Sequence, residues 1–181
     1  HITCRDDNLE SGTNLIYNSL SKTRLGLEDD LKKNYLHNFS DFKALVVGAG
    51  AIGNFVALNL ALQGFGHIDI MDYDTVQRSN LSRQVLFYDS IGKHKADVLS
   101  QRVKEMNPQV DCTSFDKRFS NSDGFFFEKN NYDLVFSCVD NLDARKTMNS
   151  FAKKYGVTLI DGGTSATSGK VNVFVPGFSR C

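Results

Sequence analysis

The chain has no excess charge of either sign. Lysine plus arginine and aspartate plus glutamate both total 21, and the formal net charge is zero. That balance argues against a protein built to coat nucleic acid or an anionic membrane, since either task needs a basic surface. Long apolar runs are also missing. No stretch is long enough to cross a bilayer, and the residues after His1 lack the apolar core of a secretory signal. Cysteines are few: four, at positions 4, 112, 138 and 181, without the spacing of a disulfide framework. A cytoplasmic setting is the simplest fit, with neither nucleic acid nor membrane expected as a partner. Internal repeats, low-complexity segments and clear linkers are absent too. The ends, His1 rather than Met and Cys181 just after Pro176-Gly177-Phe178, are those expected of a fragment, a processed chain or an incomplete one.

What is there is enough for one domain: 181 residues can bury a sizeable core. Residues 1–42 are polar and lack strand patterning. Apolar positions such as Leu15, Ile16, Leu20, Leu31 and Leu36 predict one or two amphipathic helices there, an N-terminal extension. From Lys43 the texture changes to strands alternating with helices. Strands are expected at 43–47, 68–71, 110–115, 133–138, 157–160 and 171–175, and helices after the first strand to about Gln63 and over 93–106, 123–129 and 141–155. Leu142, Met148 and Phe151 are placed on the inner face of the last helix, and Phe125-Phe126-Phe127 in the core. The alternation predicts an α/β fold, Rossmann-like and doubly wound, with a mostly parallel sheet covered by helices on both faces.

The segment 43–74, KALVVGAGAIGNFVALNLALQGFGHIDIMDYD, reads as strand, glycine turn, helix and second strand with a carboxylate at its tip. Gly48 permits the tight turn, Gly50 lets a phosphate approach the backbone, and Gly53 lets the helix lie close to the sheet. Free N–H groups at the helix start favour phosphate charge. Asp72, 19 positions after Gly53, is placed to accept hydrogen bonds from ribose hydroxyls. This pattern predicts a nucleotide site without choosing the nucleotide, and NAD would be the default.

The residues that follow change that choice. Asn80, Arg83 and Lys95 come close behind the acid. An amide, a guanidinium and an ammonium beside a glycine-rich phosphate site suit a triphosphate under attack, where charge develops on the α-phosphate and on departing pyrophosphate. The alternative for each residue alone is a solvated loop whose bases pair with nearby aspartates. Asp140 ends a later strand, where ligands bind in open parallel sheets. It is a candidate Mg²⁺ ligand, the alternative being that Asp140 or Asn141 caps the next helix.

Taken together, VVGAGAIG at 46–53, DYDTVQRSNLSRQ at 72–84, IGKHK at 91–95, SCVDNLDAR at 137–145 and GKVNVFVPG at 169–177 resemble the adenylating domain of the ThiF/MoeB/HesA superfamily, which includes ubiquitin-activating enzymes. The resemblance implies an ATP-binding adenylation domain over 43–181. Asp72 would hold the ribose, Gly48, Gly50 and Gly53 would form the ATP loop, Asn80, Arg83 and Lys95 would contact the triphosphate, and Asp140 would coordinate Mg²⁺. It implies that a carboxylate, commonly the C-terminus of a ubiquitin-like protein or a peptide, attacks ATP to give an acyl-adenylate and pyrophosphate, with Arg83, Lys95 and Asp140 as the catalytic set. It also implies a homodimer or pseudo-dimer. The family's partner-reaching arginine has its nearest candidate in Arg24, and His94 stands where proline is common. Cys181 falls where the first of four zinc cysteines would lie, so structural zinc is expected only in a longer parent chain. No cysteine here is a candidate for thioester transfer. The competing readings are an NAD(P)-dependent oxidoreductase and a non-catalytic partner subunit or truncated binding module.

Overall fold

The computed structural model describes residues 39–165 and 167–177. Most of the expected N-terminal extension, Arg24 and Cys181 lie outside the described residues. The elements run β1 Lys43–Val47, α1 Ala51–Gln63, β2 His67–Met71, α2 Lys95–Met106, β3 Asp111–Phe115, α3 Gly124–Asn130, β4 Leu134–Ser137, α4 Leu142–Tyr155, β5 Thr158–Thr164 and β6 Gly169–Phe174. They build a six-stranded sheet in the order β3-β2-β1-β4-β5-β6. All neighbours pair in parallel except β5 with β6, which is antiparallel. This is the expected Rossmann-like, doubly wound α/β fold.

β1 shows why both faces must be covered. Ala44 and Val46 point into a core with Ala57 and Leu60 of α1 and Leu99 and Val103 of α2. Leu45 and Val47 point into a second core with Phe126, Phe127 of α3 and Met148, Ala152 of α4. Alternate side chains of a fully buried strand feed opposite layers, so the strand reads as one apolar run. Each buried Leu, Ile or Val contributes about 1.5–3 kcal/mol.

α1 ends where expected. Gly64 takes a left-handed conformation with φ 82°, its N–H donates to Ala61 O at 3.1 Å, and Phe65 N–H donates to Leu60 O at 3.1 Å. Those two bonds satisfy the last carbonyls of the helix. Other boundaries shift. α2 begins at Lys95 rather than Lys93, because Gly92 (φ 88°) and Lys93 form a turn that donates to Ser90 O. β4 stops at Ser137, which leaves Cys138 in the loop beyond it. β5 runs on to Thr164. Leu142 is 64% exposed, not internal, because it sits in the first turn of α4, before the helix reaches the sheet; Ala144 and Ala152 are buried with Met148 instead. Of the three phenylalanines, Phe126 and Phe127 are buried and Phe125 is half exposed.

One carboxylate sits inside the second layer. Asp69 in β2 is buried, but both its oxygens are used: Oδ2 accepts from the Tyr132 hydroxyl and Oδ1 pairs with His67 Nε2 at 2.9 Å. A buried carboxyl group is tolerated because both its oxygens are hydrogen-bonded. No helix among the described residues is long and apolar enough to cross a membrane.

Candidate active site

The strand order reverses between β1 and β4, and that gap at the C-terminal ends of the strands is where open α/β sheets bind ligands. A cavity of about 450 Å³ lies there, bordered by Gly48, Gly50, Asp72, Asn80, Arg83, Lys95 and Asp140. A larger cavity of about 650 Å³, between α1 and the β4–β5 face, is lined by apolar groups such as Phe55, Val56, Phe136 and Ile160 and by no charged residue. Chemistry therefore belongs to the smaller one.

The three glycines have three different reasons to be glycine. Gly48 has φ 96°, and a Cβ on it would stand 2.6 Å from Cys138 O. A Cβ on Gly53 would stand 1.9 Å from Gly48 O. Both positions are closed by backbone. A Cβ on Gly50 would meet only Gln84 Nε2, at 3.9 Å, so the space in front of it belongs to the cleft. Among the described residues no carbonyl or side chain accepts from the N–H groups of Gly50, Ala51, Ile52 or Gly53 at the start of α1. Four free donors at a helix N-terminus favour an anion.

Asp72 ties this loop to β2. Its Oδ2 accepts from Ala49 N–H at 2.6 Å and its Oδ1 from Asp74 N–H at 2.8 Å. Burial pushes its carboxyl above the usual carboxylate range, while the bonds from Asp74 and Ala49 and the nearby Lys95 act in the opposite sense. Each oxygen keeps a lone pair for a further donor. Asp72 thus shapes the loop as well as facing the cleft.

Lys95 reaches the cleft because Thr75 and His94 bridge in antiparallel fashion and Lys95 N–H donates to Asp74 O at 2.9 Å. Its ammonium is buried and donates to Asp74 Oδ2 at 2.8 Å. The aspartate pairing considered from sequence is therefore real for Lys95. An ammonium has three donors, and Asp74 takes one. Asn80 Oδ1 accepts from Gln77 N–H at 2.9 Å, which fixes the amide. Arg83 is exposed, and its Nη1 makes two long contacts, to Ser79 O at 3.3 Å and to Ser82 Oγ at 3.5 Å. At the end of β4 the two candidate caps separate: Asn141 Oδ1 accepts from Ala144 N–H at 2.8 Å and caps α4. The exposed Asp140 carboxylate has no hydrogen-bond or ion-pair partner among the described residues.

Several residues on or near the cleft were given no role from the sequence, although Gln84, Ser137 and Arg145 lie within the quoted motifs. Arg145 on α4 donates to both oxygens of Asp161, at 2.8 and 2.9 Å, to Gly162 O at 2.9 Å and to Val139 O, so it anchors the loop that carries Asp140. Gln84 is buried and its Oε1 has no partner among the described residues; Asn54 Oδ1 and Ser137 Oγ, on elements bordering the cleft, share that condition. Unsatisfied buried polar atoms are rare enough to mark a site built for something besides stability. The Arg118 guanidinium lies over the Tyr73 ring, 4.5 Å from its centroid, and both residues border the cleft.

The ThiF family model matches residues 24–181. The chain belongs to the ThiF family. This ThiF-family chain is 40% identical over 142 residues to SUMO-activating enzyme subunit 2 of Dictyostelium discoideum, an alignment covering 77% of the chain and 21% of that protein. It is 31% identical over 172 residues to ubiquitin-like modifier-activating enzyme 5 of Oryza sativa subsp. japonica, covering 87% of the chain and 40% of the relative. The crystal structure of E. coli MccB with ATP superposes with a TM-score of 0.72 at 25% identity, covering 78% of this chain and 43% of MccB. The chain thus spans between a fifth and two fifths of the length of these two curated relatives. The resemblance read from the five sequence motifs is borne out.

The two described cysteines, Cys112 and Cys138, behave as packing groups. Burial pushes the Cys138 thiol up to about 12 and the Cys112 thiol up to about 11. Only the thiolate reacts, so at pH 8 each should be alkylated by iodoacetamide about a hundredfold or more slowly than a free cysteine. Peptide mapping of the folded chain against a denatured control checks this; native-state labelling of Cys138 at the denatured rate would show that its thiol is not buried as described.

Proposed function

We propose that the unit spanning 43–181 carries out ATP- and magnesium-dependent adenylation of a carboxylate, that of the C-terminus of a ubiquitin-like protein or a peptide. The observation that carries this reading is the convergence, on one cleft at the sheet's switch point, of an anion-binding helix start, Asp72, Asn80, Arg83, Lys95 and Asp140. A dinucleotide site has use for the first two features and none for the remaining four. Family membership and the ATP bound by MccB support the same nucleotide.

In this mechanism the ribose hydroxyls donate to Asp72 and the phosphates lie over Gly50 at the start of α1. An oxygen of the incoming carboxylate attacks the α-phosphorus, the bond to the bridging oxygen breaks, and pyrophosphate leaves with that electron pair. The product is a mixed acyl–phosphate anhydride. Lys95, Arg83 and the amide of Asn80 stabilise the charge that builds on the phosphoryl oxygens and the leaving group, with no proton transfer required of them. Asp74 holds the Lys95 ammonium in place for that task. Asp140 suits Mg²⁺, which takes one or two carboxylates and fills its shell with phosphate oxygens and water. Its unpartnered carboxylate fits that description, and the lack of a three-ligand cluster among the described residues is compatible with it. Bound there with the triphosphate, the ion would neutralise phosphate charge. A second copy or a homologous subunit is the proposed partner, and the cytoplasm the proposed setting.

Exchange of labelled pyrophosphate into ATP tests the proposal, using the longest available parent chain and a panel of ubiquitin-like proteins and peptides. Exchange that requires one of these carboxylates is the expected result. Nicotinamide reduction without exchange would establish the oxidoreductase instead. Absence of ATP binding by a folded chain would favour the non-catalytic subunit.

A further inference from the structure

The Asp140 carboxylate has no hydrogen-bond or ion-pair partner among the described residues, so no side chain aims it. Its direction is set by its backbone, and that backbone is tied on both sides. The residue after it, Asn141, caps α4 by accepting from Ala144 N–H at 2.8 Å. The carbonyl before it, Val139 O, accepts from Nη2 of Arg145. The Val139 carbonyl and the Asp140 N–H share one rigid peptide plane, so a bond that fixes the first orients the second.

Arg145 is itself held from the end of β5. Nη1 donates to both oxygens of Asp161, at 2.9 and 2.8 Å, and Nη2 donates also to Gly162 O at 2.9 Å. Asp161 pairs in register with Ser137, the last residue of β4, and Asn172 of β6 reaches its Oδ2 at 3.4 Å. A Cβ on Gly163 would stand 3.0 Å from both Nη1 and Nη2, so the guanidinium lies against bare backbone there. Both charged side chains are largely covered. One planar fork thus meets a carboxylate and two carbonyls at once, a geometry that an ammonium on a flexible stem does not reproduce. An ion pair between α4 and β5 would be complete without the bond to Val139 O. That bond is the one that reaches the Asp140 peptide.

We propose that Arg145 is a positioning residue for the metal: through Val139 O it holds Asp140 so that the carboxylate faces Mg²⁺ on the triphosphate, with Asp161 as its own anchor. This rests on the metal reading of Asp140 above and adds the pair that orients it. Affinities of the whole 181-residue chain for ATP with Mg²⁺, and for ATP in excess EDTA, are measured by displacement of a fluorescent ATP analogue. Arg145→Lys is expected to weaken Mg-ATP about tenfold, the scale on which groups behind a metal ligand act, and to leave metal-free ATP within about twofold. Added to Asp140→Asn, the same change is expected to cost less than about twofold more, because the residue it acts through has lost its charge. Asp161→Asn keeps the shape of the anchor and is expected to lose about threefold, again for Mg-ATP alone. It carries the test if circular dichroism shows Arg145→Lys to be unfolded. Equal losses with and without the ion, or the full tenfold loss on top of Asp140→Asn, would make Arg145 a strut of the whole cleft and overturn the proposal. Mg-ATP affinity unchanged in folded Arg145→Lys would overturn it too, while a loss in Asp140→Asn kept the metal reading intact. Mg-ATP affinity unchanged in Asp140→Asn would bring down the metal reading together with this one, and failure of the unmodified chain to bind the analogue would bring down the nucleotide reading as well.

Discussion

Alanine at Gly53 is expected to lower the unfolding midpoint by roughly 5–10 °C and to abolish ATP binding, while alanine at Gly50 leaves the midpoint unchanged and removes only the binding. The contrast follows from what each new methyl would meet. At Gly53 it would stand 1.9 Å from Gly48 O, a backbone atom that cannot turn aside. Either α1 lifts from the sheet or the turn at Gly48 moves, and Gly48 is itself held by its N–H bond to Met71 O at 2.8 Å. Overpacking against backbone costs about 2–3 kcal/mol, which for a chain of this size corresponds to the stated shift. At Gly50 the methyl meets nothing nearer than Gln84 Nε2 at 3.9 Å, and its φ of −73° suits any residue. The only thing displaced is a ligand in front of the helix N-terminus, so a loss of about tenfold or more in ATP affinity is expected with the fold intact. Thermal unfolding followed by circular dichroism and ATP titration of both variants check this. A Gly50→Ala chain that binds ATP normally would show that phosphate does not approach here.

The sequence already assigned the three glycines different tasks, and the structure adds the atoms that a methyl at each would meet. The strand–turn–helix–strand unit was legible because both of its signals are local: an apolar run alternating into two layers, and an acid at a fixed distance. The closure of Lys95 onto Asp74 depends on a bridge between Thr75 and His94, and no periodicity announces a single bridge. Arg145, the last residue of the 137–145 motif, was given no role for a related reason. It looks like one more charged residue on an amphipathic helix, and only the fold brings Asp161, Val139 O and Gly162 O around it. Leu142 misled because apolar character alone does not say whether a first-turn residue has yet reached the sheet. The antiparallel β5–β6 pair was likewise not readable from two short Val-containing runs. What the sequence offered was residue types with a shared chemistry; the contacts that orient them came from strands and helices distant in the chain.

Asp140 and Asn141 are adjacent, similar in size and both plausible helix caps by sequence, yet their replacement is expected to give opposite results. Asn141 caps α4 through its Oδ1, so Asn141→Ala should cost about 1 kcal/mol, lower the midpoint by roughly 2–4 °C and leave pyrophosphate exchange largely intact. Asp140 makes no bond that the fold needs, so Asp140→Asn should leave the midpoint unmoved. Its amide has the same shape and no charge to offer a cation, and exchange should fall by about 10²–10³-fold, the scale seen when one preorganised electrostatic group is removed from a reacting centre. Titration of Mg²⁺ supplies a further readout: the residual activity of Asp140→Asn should need a higher ion concentration, whereas that of Asn141→Ala should not. The loop survives either change because Arg145, through Val139 O and Asp161, holds it from below. Exchange at the parent rate with Asp140→Asn would remove the metal assignment and leave Lys95 and Arg83 to carry the charge alone. A midpoint that falls with Asp140→Asn but not with Asn141→Ala would mean that the capping roles are reversed in solution.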